Sequence, residues 1–158
     1  MGKGSPFHQE IVDYLKVKYP NPQPNTFSLK YSFDNVENVG QGKFMADYVF
    51  DGAWVDAIHE EPWMESLGKF IVYGNQIMNE KREFWLIFYA KSLYPKHKKD
   101  GRYNKMTEPE FIQEQRRHYS FYKRIAKRVL IDSIKDRIRV FDYESSGAAN
   151  SGHLVEID

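Results

Sequence analysis

The chain has 158 residues, enough for one domain burying roughly two thirds of its unfolded surface, and its 41% hydrophobic and 16% aromatic content marks a folded rather than a disordered polypeptide. The formal net charge of +1 conceals a segregation: residues 1–90 carry 8 Lys/Arg against 12 Asp/Glu, residues 91–139 carry 15 against 6, and residues 140–158 carry none against 4, so the basic third favours a polyanionic partner, nucleic acid above all. Cysteine is absent, which excludes disulfides, zinc-thiolate sites and thiol nucleophiles; with no apolar run of membrane-spanning length and no signal-peptide layout, the expected setting is intracellular or inside a particle, without a membrane partner.

Met1 to Pro6 reads as a flexible leader. The spacing of Phe7, Ile11, Tyr14 or Leu15 and Lys18 predicts a helix opened by Ser5-Pro6, with His8 and Glu10 on it. For these two the bland reading is a solvated helix face. Pro20, Pro22 and Pro24 end the helix and form a stiff connector. Thr26 to Phe33 alternates and predicts a strand, and residues 34–42 read as a polar, glycine-containing loop. Lys43 to Ile58 predicts one β-hairpin about an Asp51-Gly52 type I′ turn, in which Phe50 faces Ala53, Val49 faces Trp54, Tyr48 faces Val55 and Asp47 faces Asp56. Opposed carboxylates cost a ladder a few tenths to about 1 kcal/mol. A divalent cation between them would relieve that repulsion.

Pro62 is placed to open a helix whose apolar side is Trp63, Leu67, Phe70 or Ile71, Gly74 and Ile77 or Met78. Its polar stripe is Glu65, Lys69, Tyr73 and Gln76. Glu83 to Ala90 is apolar almost throughout, as in a strand covered on both faces. Lys91 to Lys105 reads as a basic loop with Tyr94 and Tyr103 interleaved. Thr107 and Glu110 then form a capping box for a long helix to about Asp132, with Phe111, His118 or Tyr119, Tyr122, Ile125 or Ala126 and Val129 inward. Arg116, Arg117, Lys123, Arg124, Lys127 and Arg128 occupy much of its remainder. Ile138 to Tyr143 reads as a last strand, and 144–158 as a tail that is mobile or ordered by a partner, which leaves one globular domain over 1–143.

This order describes an α/β (α+β) fold, a mixed sheet flanked by helices. With Asp47 after Ala46 on one strand and Asp56 on the next, the chain resembles the PD-(D/E)XK nuclease superfamily over roughly residues 7–90. The resemblance implies a restriction-endonuclease-like core of a helix, three strands, a helix and a fourth strand, to which the long C-terminal helix and final strand are additions. Ala46-Asp47 has alanine where proline is usual, and Asp56-Ala57-Ile58 keeps the acid of (D/E)-x-K but has isoleucine in place of lysine. Some members, virus-type RNA endonucleases among them, carry that lysine on the following helix, so Lys69 is the implied substitute. Lys69-Phe70-Ile71-Val72-Tyr73 is similar to the Q-x-x-x-Y element of RecB-like nucleases, with lysine in the glutamine position, and brings in Tyr73. The first-helix group of such sites would be Glu10 or His8.

The activity so implied is metal-dependent hydrolysis of phosphodiester bonds in DNA or RNA. Asp47 and Asp56, helped by Glu10 and the Ala57 carbonyl, would hold Mg²⁺ or Mn²⁺, with Lys69 or His8 assisting the attacking water. Lys91, Lys96, Lys98, Lys99, Arg102, Arg116, Arg117, Lys123 and Arg124 would track the nucleic-acid backbone, and Tyr94 and Tyr103 would stack on unpaired bases. A viral protein of this kind would work in the host cytoplasm or the virion. Two other classes stay open: a catalytically inactive nuclease-fold protein that binds nucleic acid, and a structural or assembly component of a virion or similar complex, as a homo-oligomer or docked on neighbouring subunits. At the centre itself the plain alternative is an ordinary Asp56–Lys69 ion pair.

Overall fold

The computed structural model describes residues 6–33, 36–58, 63–77, 80–147 and 152–158, with the backbone alone at 6–7, 27–33, 36–44, 63–64, 72–73 and 75–77. Its elements run α1 (Pro6–Lys18), β1 (Thr26–Phe33), β2 (Val36–Met45), β3 (Tyr48–Phe50), β4 (Ala53–Ala57), α2 (Trp63–Ile77), β5 (Glu83–Phe88), α3 (Ala90–His97), α4 (Glu108–Val129), α5 (Asp132–Lys135), β6 (Ile138–Glu144) and β7 (His153–Ile157). A five-stranded mixed sheet is ordered β3-β4-β5-β6-β7. It is parallel at β4–β5 and β5–β6 and antiparallel at both edges. The class is thus α/β (α+β), with helices on both faces of the sheet.

Side-chain alternation explains the layering. Along β5, Phe84, Leu86 and Phe88 join Phe70 of α2, Tyr119 and Ala126 of α4 and Ile134 of α5, whereas Trp85 and Ile87 join Ile11, Tyr14 and Leu15 of α1. A strand buried on both sides has no solvent face to mark with polar residues, hence the run EFWLIF. Thr107 caps α4 as expected: its Oγ1 accepts the Glu110 N–H at 3.4 Å, with Pro109 in the first turn. Phe111, Tyr119 and Ala126 point inward as the periodicity predicts. Val129 is exposed instead, because the chain turns extended at Leu130, and Leu130 takes the buried place.

The residue after α4, Leu130, and Ile134 of α5 pack closely on α2 at Gly74. A Cβ there would lie 2.9 Å from Leu130 Cδ2 and 3.1 Å from Ile134 Cδ1. Gly74→Ala is therefore expected to cost about 1 kcal/mol through overpacking, against the helix-propensity gain it would bring in open space. Chemical denaturation of the variant checks the sign.

Four expectations are corrected. Residues 36–42, expected as a loop, and 43–45, expected in the hairpin, together form β2, which pairs with β1 in a separate two-stranded sheet, from Thr26↔Met45 to Phe33↔Val36, so the hairpin strand is only Tyr48–Phe50. The strand at Thr26–Phe33 thus satisfies its ladder with its own neighbour rather than with the central sheet. The basic segment is in part helical, since Leu93 and Tyr94 of α3 pack around Phe111 and reward a helical turn there. Within the segment expected as a tail, residues 153–157 form β7 and pair with β6, from Val140↔Ile157 to Glu144↔His153. Finally, Gly52 lacks the positive φ of a type I′ turn; among the described glycines only Gly147 has one. Glycine serves at 52 because a Cβ would fall 2.5 Å from Phe50 Cε2, and its carbonyl accepts the Glu83 N–H at 2.8 Å, so β5 orients the turn.

Candidate active site

The β3–β4 hairpin has the predicted register, Tyr48↔Val55, Val49↔Trp54 and Phe50↔Ala53. Beyond Tyr48 the ladder slips. The Asp47 N–H donates to the Val55 carbonyl at 3.1 Å, while the Ala46 N–H turns away to the Asn25 carbonyl at 2.9 Å. The Asp47 side chain fills the gap: its Oδ2 accepts the Ala57 N–H at 2.7 Å, standing in for a backbone acceptor. That reach sets its carboxyl beside that of Asp56, near enough for its charge to act on it.

Val55 and Ala57 face α1, so the strand's alternation turns Asp56 toward α2. There it is only 4% exposed. Lys69 Nζ, on α2, lies 2.8 Å from Asp56 Oδ2, and its own side chain is 30% exposed. Burial raises the Asp56 pKa to about 7; the neighbouring Asp47 charge adds to the rise and Lys69 opposes it. Apart from the Lys69 ammonium, the buried Oδ2 has no directed hydrogen bond among the described residues, and neither has the hydroxyl of Ser66, fully buried one turn before Lys69 on α2. Buried polar atoms in that condition are where water or an ion belongs. Asp56 also sits at the carboxyl end of a strand parallel to its neighbour, the end at which open α/β sheets bind ligands.

The structure does not bring Glu10 to this pair. Its Oε1 accepts the Tyr143 hydroxyl at 3.3 Å, on the face covered by α1, and the sheet separates it from Lys69 and the α2 side. His8 is on the same helix. Tyr73 lies on α2, but its side chain falls outside the described residues, as do all of His59, Glu60, Glu61 and Pro62.

Two of the residues expected to contact phosphate have partners within the fold. Arg116 is engaged by Asp142 at 2.8 Å and by Glu144 at 2.5 Å. Lys123 is 7% exposed and donates to the Ile157 carbonyl at 2.6 Å, tying α4 to β7; burial, then the nearby Lys127, lowers its pKa. Arg117 is exposed but paired with Glu114 at 2.6 Å. Lys91, Lys96, Lys98, Lys99, Arg102 and Arg124 are exposed.

Asp142 was not among the residues the sequence singled out. It is 1% exposed, accepts the Ala90 N–H at 3.1 Å and so caps α3, whose own N-cap residue Tyr89 makes no side-chain cap. Burial raises its pKa, and Arg116 and the Ala90 N–H only partly offset that. The available signal was an acid at an inward position of an apolar strand, VFDY, which calls for a partner.

Compared with family models, characterised proteins and solved structures, the chain matches none. Among the described residues no helix is long and apolar enough to cross a membrane, and no three His, Asp or Glu side chains cluster as a metal site. The residues present fit a narrower demand. Two neighbouring carboxyls, the buried one already paired with the Lys69 ammonium at 2.8 Å, suit a hard divalent ion such as Mg²⁺ or Mn²⁺ where the ion takes the place of that ammonium on Asp56 and keeps its remaining ligands as water or phosphate.

Proposed function

We propose that the chain is a metal-dependent hydrolase of nucleic-acid phosphodiesters, working at Asp47, Asp56 and Lys69. What supports this reading is one observation: the buried Asp56 carboxyl, at the carboxyl end of β4, pairs with the Lys69 ammonium at 2.8 Å beside Asp47, whose own carboxyl is held by the Ala57 N–H on the same strand. The restriction-endonuclease-like core belongs to the same proposal; the chain order is α1, β1, β2, β3, β4, α2, β5, and of the four strands before α2 only β3 and β4 join the five-stranded sheet, one fewer than that core has.

Asp47 and Asp56 would hold the ion, which when bound neutralises the scissile phosphate and acidifies a water. Asp47 is oriented for this by the Ala57 N–H. Asp56, whose carboxyl burial pushes up to about 7, would have to be ionised to serve as a ligand. Lys69 is released from its pair with Asp56 to donate a hydrogen bond to the attacking water or to a phosphoryl oxygen. Lysine enters from α2 because Ile58, at the (D/E)-x-K lysine position, is buried in the core against that face.

The test is incubation of plasmid and of single-stranded RNA with Mn²⁺, with and without EDTA. Cleavage abolished by EDTA is expected, falling roughly 10²–10³-fold or more in Asp47→Ala, Asp56→Ala and Lys69→Ala. Cleavage that survives EDTA or is unchanged in these variants would overturn the reading. A second reading, an inactive nucleic-acid-binding relative, draws on the same ion pair, which neutralises Asp56 without any metal; binding without cleavage is its signature.

A further inference from the structure

Residues 91–105 carry six exposed cations, Lys91, Lys96, Lys98, Lys99, Arg102 and Lys105, against one acid, Asp100, whose Oδ1 accepts the Arg102 N–H at 3.0 Å within the turn. The tyrosines among them face the other way. Tyr94 and Tyr103 pack on the fully buried Phe111 of α4, each with ring centroids 5.5 Å apart, and His97 stacks on the same ring at 5.6 Å. The Tyr94 hydroxyl donates to the Met106 carbonyl at 2.9 Å, and Tyr103 is 9% exposed. Two of the cations cover the rings from outside, Lys98 Nζ 5.7 Å from the Tyr94 centroid and the Arg102 guanidinium 5.6 Å from that of Tyr103. Successive turn bonds, Lys98 N–H to Tyr94 carbonyl at 2.8 Å, Tyr103 N–H to Asp100 carbonyl at 3.0 Å and Met106 N–H to Tyr103 carbonyl at 3.0 Å, hold the backbone under them.

We propose that this unit is a preformed phosphate-binding surface for duplex nucleic acid. Proteins that grip single strands add exposed aromatic faces to a basic groove, and base stacking supplies about 1–3 kcal/mol per base. Here the faces are spent on Phe111 and His97 inside and on Lys98 and Arg102 outside, so base stacking is not on offer. What remains is neutralisation of phosphates, a contribution that grows with their density and is greatest on a duplex, with about one charge per 1.7 Å of axis. Ordered turns over a small aromatic core keep the cations in place before binding, which lowers the ordering cost. The proposal deepens the nucleic-acid part of the preceding reading and does not depend on the carboxylate pair.

Fluorescence polarisation in EDTA, with the full chain against a short DNA duplex, the matching RNA duplex and an unstructured single strand, is the test. At least tenfold tighter binding to a duplex than to the single strand is expected, with affinity falling about a thousandfold between 50 and 200 mM salt if the six cations act together. In Lys98→Gln/Lys99→Gln/Arg102→Gln the salt slope should become shallower by about three, with Tm unchanged. Equal or tighter binding of the single strand overturns the proposal, as does an unaltered slope in the triple variant. Asp56→Asn separates the two readings: loss of cleavage with duplex binding intact leaves both standing, and duplex binding by a wild-type protein that never cleaves sinks the hydrolase alone.

Discussion

Asp56→Asn is expected to stabilise the protein above neutral pH while abolishing its affinity for Mn²⁺. The Asp56 carboxyl titrates near 3.8 when unfolded and at about 7 when folded, so between those values the native state binds the extra proton. Stability is therefore greatest at the acid end of that window and declines as pH rises through it, levelling off above 7. The decline from this group amounts to roughly 4 kcal/mol at its upper limit. Asparagine carries no such penalty and can still donate to the Asp47 carboxyl. At pH 8 the variant should gain about 2 kcal/mol or more, a Tm rise of roughly 4–8 °C for a chain of this size, and its pH slope across the window should flatten. Thermal denaturation at several pH values reads both effects. Wild-type Mn²⁺ affinity, measured by calorimetry, should rise close to tenfold per pH unit below 7, because the ion must displace that proton. An ordinary structural ion pair behaves in the opposite way: removing the carboxylate would lower stability at pH 8, and that result would discard the site. Gain of stability on loss of a functional group is the expected trade at a centre held under electrostatic tension.

Asp142→Ala should have the opposite sign and a larger size. It leaves Arg116, 19% exposed at its side chain, with only Glu144, and removes the acceptor for the first N–H of α3. Breaking a buried pair by deleting one partner costs about 3–5 kcal/mol, so a Tm fall of roughly 6–20 °C is expected. Replacing both members, Asp142→Leu with Arg116→Leu, should recover most of it, since burial already holds the Asp142 pKa up despite its partner and the pair adds little net stability. A single variant within 0.5 kcal/mol of wild type would show that α4 is not anchored to β6 through this contact. Because the α3 cap is lost as well, the single variant should also weaken duplex binding at residues 91–105, whereas an intact salt slope would place the cap outside that function.

Much of the fold is legible where the determining contacts are close in sequence. Asp51-Gly52 between apolar runs sets the β3–β4 register, Thr107 and Glu110 start α4, and the unbroken run 84–88 announces a strand with two buried faces. At the candidate site the nearness of Asp47 to Asp56 across a tight hairpin and the Asp56–Lys69 ion pair are both readable from the sequence. The route was not: the expected cross-strand pair is replaced by a ladder slip in which the Asp47 side chain caps Ala57, and that slip follows from the Ala46 N–H bonding to Asn25, which periodicity cannot foresee.

The sequence by itself determined the class, the main helices and strands, the hairpin and the three residues that converge at its open end, since each depends on local propensity and on the period of burial. Only the tertiary structure decided which side of the sheet Glu10 faces, that Arg116 is consumed by Asp142 and Lys123 by a carbonyl of β7, that β1 pairs with β2, and that the tyrosines of 91–105 turn inward. A charge or an aromatic ring in a sequence states what it can bind. Which partner it meets, 26 residues away in the case of Arg116 and Asp142, is set by how the layers stack.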